Sequence, residues 1–200
     1  MNIVPRQTDP STIAQALQKG LVVVIPTDTV YGIAALARNQ AAVERIYAIK
    51  QRPKSPDKPL AVLMPNDMQL IESWVVIPDE HRSFIQQHWP GDYTFVLPMK
   101  PERVGTLALQ GATLGIRVPN HAELLQVLAT VGEPVTATSV NRSGGESLHD
   151  MADIVALFQG AESAQALGTP DLLWDWGALP DKPVSHVIDL TGKKPRIIRL

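Results

Sequence analysis

Four polar stretches of this chain hold the side chains that could do chemistry, and all four adjoin apolar runs. The first is Thr27-Asp28-Thr29-Val30-Tyr31-Gly32, just past the run at residues 21–25. Two hydroxyls, a carboxylate, a ring and a turn-permitting glycine suit a small amphoteric ligand at the carboxyl end of a strand. A turn whose Thr and Asp side chains bond their own backbone is the competing account. The second stretch runs from Lys50 through Arg52 and Lys54 to Lys58, stiffened by Pro53, Pro56 and Pro59 and opposed only by Asp57. Arginine matches a phosphate bidentately and lysine serves as a point charge, so a stiff cationic loop suits phosphate. Cations at a helix C-terminus would also be favoured by the dipole alone. The third is Arg117 inside Leu114-Gly-Ile-Arg-Val-Pro119. An arginine within an apolar strand must be paired or face a cleft; its partner is either a ligand carboxylate or an internal acid. The fourth, residues 136–145, carries Ser139 and Asn141, which can donate to phosphate or to a base edge.

Other chemistries lose ground. The sequence has no Walker A loop, G-x-G-x-x-G, H-E-x-x-H or G-x-S-x-G. His81 and His88 lie seven apart and read as solvated or capping side chains, and no metal site is expected. There is no cysteine, which removes disulfide frameworks, thiolate metal sites and cysteine nucleophiles together. At 44% hydrophobic and 19% charged residues the chain is not of the disordered type. A net charge of −2 argues against a basic field over the whole surface, though not against a local basic patch. Residues 1–10 lack an apolar signal core, and residues 21–25 are too short to span a bilayer. A soluble, cytoplasmic protein without membrane contact is the expectation. The Asn141-Arg-Ser sequon is therefore not read as a glycosylation site.

The elements that must position these residues alternate. Helices are expected at 11–19, stopped by Gly20, at 39–49 capped by Asn39, within 73–88, at 121–130 and at 150–158. Strands are expected at 21–25, 60–64, 93–97, 114–118 and 135–138, with late edge or exposed strands at 184–190 and 196–200; residues 160–171 read as loop. Alternating strands and helices with no linker composition predict one α/β domain with a mixed sheet.

Taken together, the motifs resemble the YrdC/TsaC family of threonylcarbamoyl-AMP synthases. The matching pieces, in family order, are Pro26-Thr-Asp-Thr-Val-Tyr-Gly32, Lys50-Gln-Arg-Pro53, Pro59-Leu60, Trp89-Pro-Gly91 with Thr94-Phe-Val-Leu97, Gly115-Ile-Arg-Val-Pro119, Thr138-Ser-Val-Asn141 with Ser143-Gly144, Val187-Ile-Asp189 and Ile198-Arg199. Val140 stands where the family usually has alanine. With Arg199 one residue from its end, the chain resembles the short kind, residues 1–200 forming a single YrdC-like domain. The resemblance implies an open twisted α/β sheet flanked by helices around a concave, positively lined cavity. It implies a nucleotidyltransferase that joins L-threonine, bicarbonate and ATP into threonylcarbamoyl-AMP and pyrophosphate, with Mg2+ bridging the phosphates. The implied partners are tRNA, the proteins that complete its threonylcarbamoyladenosine modification, and double-stranded RNA.

The roles implied by the resemblance are specific. Lys50 and Arg52 hold the triphosphate and carry catalysis. Thr27, Thr29, Tyr31, Lys58, Arg117 and Ser185 form the threonine pocket, and Thr113, Ser139, Asn141 and Arg199 complete the ATP site. The alternative is a non-catalytic RNA-binding or ribosome-maturation paralogue of the same fold, such as those lacking parts of the Lys-x-Arg or Ser-x-Asn elements. This chain has both.

Overall fold

Continuous apolar runs such as residues 21–25 and 33–37 cannot leave one side wet, so they settle in the middle of a sheet covered on both faces. The computed structural model, which describes residues 1–53, 60–141, 145–159 and 168–200, bears this out: β2 (Val23–Ile25) and β3 (Gly32–Leu36) are buried at every position. They lie within one mixed sheet. From edge to edge its order is β1 (Asn2–Pro5), β8 (Leu172–Asp175), β2, β3, β7 (Val135–Ser139), β4 (Ala61–Leu63), β6 (Thr113–Arg117), β5 (Tyr93–Pro98), β9 (His186–Asp189) and β10 (Arg196–Arg199). β1, β8 and β2 run parallel, as do β4 with β6 and β5 with β9; the remaining neighbours are antiparallel.

Period-two alternation assigns each strand residue to a face. On one face Val22, Val24, Ile33 and Ala35 meet α2 (Gln40–Ile49) and α6 (Met151–Gln159). Further along it Val62, Ile116, Phe95 and Leu97 meet α3 (Met68–Glu72) and α4 (Asp79–His88). On the opposite face Val23, Ile25, Ala34, Leu36, Leu63 and Val135 pack against α1 (Pro10–Gln18) and α5 (Ala122–Val131). Beside these helices that face carries a row of small residues. Ala34 pairs with Ala137, and Ala137 with Ala61. Gly115 follows, where an added Cβ would lie 3.6 Å from that of Ala61. Ala61 and Ala137 remain half-buried although they sit mid-sheet. They floor a trough that α1 and α5 do not cover.

Two differences from the sequence reading concern short elements. The helix expected within 73–88 is α4, and the separate turn of α3 precedes Ser73, capped by Asp67, whose carboxylate accepts from Leu70 N at 3.0 Å. β1 and β8 have no counterpart in the reading. Each is four residues long, and they pair only with one another and with β2, across more than a hundred residues of chain. Local periodicity cannot report such a partnership. β10 is the edge strand expected, whereas β9 is paired on both sides, by β5 and β10, and is neither at the edge nor exposed, because β10 covers it. Among the described residues no helix is long and apolar enough to cross a membrane.

Gly20 ends the α1 turn at φ +81°, and a Cβ there would lie 2.4 Å from Asn39 Nδ2. Asn39 in turn caps α2 through Ala42 N at 3.0 Å. Gly132, the α5 cap at φ +67°, has only Ala129 O near, at 4.0 Å. Gly132→Ala should therefore cost about 1 kcal/mol, for the left-handed backbone alone. Gly20→Ala should cost about 2 kcal/mol, because the Asn39 cap is displaced as well. Urea unfolding of the two variants measures the difference, and equal losses would show that the Asn39 contact is not felt.

Candidate functional site

Pro26 closes β2, and the loop that follows folds back on itself before β3. Thr27 Oγ1 donates to Val30 O at 2.7 Å and accepts from Thr29 N at 3.1 Å and Val30 N at 3.2 Å. The self-bonded turn is thus what Thr27 forms, and it sets the direction of the next two side chains. Thr29 Oγ1, 3.1 Å from Thr27 Oγ1, accepts from Arg117 Nη1 at 2.9 Å. Asp28 Oδ1 accepts from Arg117 Nη2 at 2.6 Å, and Gly91 O accepts from Arg117 Nε at 3.0 Å. The internal ion pair, one of the two partners open to a strand arginine, therefore exists. Arg117 is buried, and burial lowers its pKa while Asp28 and Asp92 oppose that shift. A guanidinium has five N–H donors, so three bonds leave two for a ligand.

Next to Arg117 in register stands Thr94, on β5. Its hydroxyl lies 3.0 Å from Ser185 Oγ, and both side chains are buried. Arg199, from the edge strand β10, folds back onto Ser185. It donates to the Ser185 carbonyl from Nε at 2.9 Å and Nη2 at 2.6 Å, and to Ser185 Oγ from Nη2 at 3.1 Å.

The second half of the site lies where α2 ends. Gln51 N donates to Ala48 O and Arg52 N to Tyr47 O, both at 3.0 Å, a reversal that places Gln51 at φ +50°. These are the two bonds of a Schellman motif, with glutamine where glycine is usual. The reversal seats Lys50 inward. Its ammonium donates to the Ser139 carbonyl and to Asn141 Oδ1, at the exit of β7. Asn141 is itself fixed, with Nδ2 donating to Gly145 O at 2.5 Å and Oδ1 accepting from Ser139 Oγ at 3.2 Å. Burial, helped by the positive charge of Arg52, lowers the Lys50 pKa to about 8.

Electrostatics join the two halves. The charge of Arg52 loosens the proton on both Lys50 and Arg199, and that of Arg199 loosens the proton on Arg117. Four cations from the α2 exit, β6 and β10 thus crowd one hollow, beside the amide and hydroxyl of the β7 exit. Such a field favours ligands with several negative charges.

The other expected residues stand differently. Thr113 shares the β6 face of Arg117 but sits four residues away, about 13 Å along the strand. Tyr31 is buried; its hydroxyl donates to Gly177 O and accepts from Trp176 N, both at 2.9 Å, and burial pushes its pKa upward. It ties the loop to the β8 exit. Lys58, with Pro59, Ser143 and Gly144, lies outside the described residues. Thr94 belongs to the site although the sequence reading gave it no role, and so does Asp28, whose carboxylate was offered to an amphoteric ligand but placed in neither substrate pocket. The available signals were an acid between two threonines and a hydroxyl inside an apolar strand. Among the described residues no group of three or more His, Asp or Glu side chains could hold a metal ion.

Comparisons with known proteins add to this geometry. A Sua5/YciO/YrdC family model, described as telomere recombination, matches residues 15–200. The chain is 38% identical over 144 residues to a threonylcarbamoyl-AMP synthase of Bacillus subtilis, covering 70% of this chain and 41% of that protein. It is 36% identical over 156 residues to one from Pseudoalteromonas translucida, covering 76% of this chain and 82% of that protein. The structure of P. abyssi Sua5 complexed with L-threonine matches with a TM-score of 0.82 at 28% identity, over 99% of this chain and 56% of that one. This chain therefore spans less than half the length of the Bacillus relative and little more than half of the P. abyssi protein.

The Lys50 ammonium has a stability consequence whose sign is fixed. With its pKa lowered to about 8 in the folded state, the native protein holds fewer protons than the unfolded chain between pH 8 and the ordinary lysine range. Stability should therefore rise with pH in that window, by about 2 kcal/mol between pH 8 and 10. Tyr31, whose proton is held longer in the folded state, opposes the trend only above the ordinary tyrosine pKa. Unfolding midpoints of the wild type and Lys50→Met across pH 7–10 test this. The rise should vanish in the variant, and parallel curves would contradict the lowered pKa.

Proposed function

The chain belongs to the Sua5/YciO/YrdC family, and from that premise we propose that it is an L-threonylcarbamoyladenylate synthase. In this reading it is a cytoplasmic nucleotidyltransferase and residues 1–200 act as one YrdC-like domain. It joins L-threonine, bicarbonate and ATP into threonylcarbamoyl-AMP, releasing pyrophosphate. Partner proteins then carry the threonylcarbamoyl group to tRNA. The observation that supports this most is the convergence of Lys50, Arg52, Arg117 and Arg199 on one hollow beside Ser139 and Asn141.

The chemistry calls for such a hollow. The threonine amine and bicarbonate condense to a carbamate with loss of water. A carbamate oxygen then attacks the α-phosphorus, and the bond to the bridging oxygen breaks as pyrophosphate leaves. Two anions must approach each other, so fixed cations and donors supply most of the stabilisation. Lys50 and Arg52 take the triphosphate, with Ser139 and Asn141 at its edge and Thr113 further along the β6 face. Arg199 closes over the nucleotide from β10. The two spare N–H groups of Arg117 take the threonine carboxylate, with Thr29 and Ser185 beside it; Thr27 and Tyr31 hold the loop in place, and Lys58 is assigned to threonine by the family resemblance alone. A magnesium ion would be held by the nucleotide's own phosphates and would neutralise part of their charge. The presence of both Lys50-x-Arg52 and Ser139-x-Asn141 favours the synthase over an RNA-binding paralogue without turnover.

Pyrophosphate release that depends on threonine is the direct test; its absence, with RNA binding retained, favours the paralogue. Lys50→Ala and Arg52→Ala should each cut turnover at least tenfold, about 1.4 kcal/mol in the barrier. Wild-type turnover in both would remove their phosphate role. Arg117→Ala should mainly raise the threonine concentration required. A second outcome follows from the Lys50 pKa of about 8. Phosphate at the ammonium restores its proton affinity, so ATP binding at pH 8.5 should take up protons. Calorimetry in buffers of different ionisation enthalpy reads that uptake, which Lys50→Met should lose.

A further inference from the structure

Asp28 is a carboxylate set into a cationic hollow, and it is only half used. Its side chain is 10% exposed and Oδ1 is engaged by Arg117 Nη2 at 2.6 Å. Oδ2 takes no partner among the described residues, yet it is not one of the sealed, unpartnered polar atoms. The loop leaves it little freedom, because Thr27 ties residues 27–30 through three hydrogen bonds and Thr29 is held by Arg117. Among the described residues, a carboxylate oxygen without a hydrogen-bond partner therefore sits fixed beside a guanidinium with two N–H groups that no protein hydrogen bond takes up. The two groups present an acceptor and a pair of donors across a single hydrogen bond.

Within this arrangement a plain carboxylate gains the Arg117 donors but meets the negative charge of Asp28 at the same place. A molecule that carries an ammonium on the carbon bearing its carboxylate satisfies both sides. We propose that Asp28 is a specificity-determining residue that accepts from the α-ammonium of the incoming amino acid through Oδ2 while Arg117 grips the α-carboxylate. The site thereby selects zwitterionic α-amino acids over carboxylic acids of the same skeleton. This rests on the reading of Arg117 as the threonine carboxylate partner. A buried acceptor left unpaired by the wrong ligand discriminates more sharply than shape alone.

Calorimetric titration with L-threonine and with (R)-3-hydroxybutanoate, which is threonine without its amino group, tests the assignment. The wild type should prefer threonine by at least about tenfold, and Asp28→Asn should bring the two affinities close together, largely by weakening threonine. A merely structural role would weaken both ligands alike and leave their ratio intact. Equal affinities in the wild type, or a preference retained by Asp28→Asn, would overturn the assignment. Should that variant fail to fold, the wild-type pair of titrations decides alone. Pyrophosphate release by the wild type separates the two levels of failure. If threonine stimulates no release, the synthase reading falls and this inference with it; if it does while Asp28→Asn keeps its preference, only the role of Asp28 falls.

Discussion

Repulsion among cations is the constraint on which this structure turns. Lys50 and Arg52 at the α2 exit, Arg117 on β6 and Arg199 on β10 come from three separate parts of the chain; Arg52 makes the charges of Lys50 and Arg199 less favourable, and Arg199 that of Arg117. Burial makes matters worse, because a charge removed from water must find partners. The anchors of Lys50 and Arg199 are largely neutral acceptors: the Ser139 carbonyl, Asn141 Oδ1, and the carbonyl and hydroxyl of Ser185. Neutral acceptors orient a cation without cancelling it. Arg117 is treated differently, being paired with Asp28. The charges of Lys50 and Arg199 are therefore oriented without being cancelled by these anchors, while the β6 side holds a balanced pair. On the proposed function, a polyphosphate and an amino acid call for that division.

The sheet makes room for this crowd by leaving its own surface bare. Ala34, Ala137, Ala61 and Gly115 cross four adjacent strands on one face, and past the cover of α1 and α5 they raise nothing above the backbone. Side chains from the margins can then lean inward: Arg117 from the end of β6, Arg199 from the outermost strand, and Lys50 from a helix packed against the reverse face. The same alternation that buries Val62 and Ile116 beneath α3 and α4 turns Ala61 and Gly115 to the other side, where Ala61 is half-exposed and Gly115 has no side chain to raise. Core and cavity are two readings of one pleat.

How much of this was legible in the sequence depended on distance along the chain. The central runs at residues 21–25, 93–97 and 114–118 announce themselves because apolar periodicity is local, and so do the Asn39 and Gly20 punctuation marks. β1 and β8 did not, since each is too short to carry a signal and is stabilised by a partner at the other end of the chain. In the site, cationic and hydroxylic stretches could be picked out by type, and their order carried the family resemblance. What could not be read was allocation. Nothing in the sequence says that the Thr27 hydroxyl is absorbed by its own turn, that Tyr31 bonds the backbone after β8, or that Asp28 stands against Arg117. Those outcomes depend on which groups meet in three dimensions.

The turn after α2 has a bearing on which residues can occupy the middle of the Lys-x-Arg element. Gln51 adopts φ +50°, a conformation that strains any side chain and that a branch at Cβ makes worse. Valine, isoleucine or threonine there would tend to unwind the reversal, and proline, whose ring fixes φ near −65°, would forbid it. The position between Lys50 and Arg52 is thus filtered by backbone geometry before any question of chemistry arises. An unbranched or absent side chain is the condition for both cations to turn the same corner.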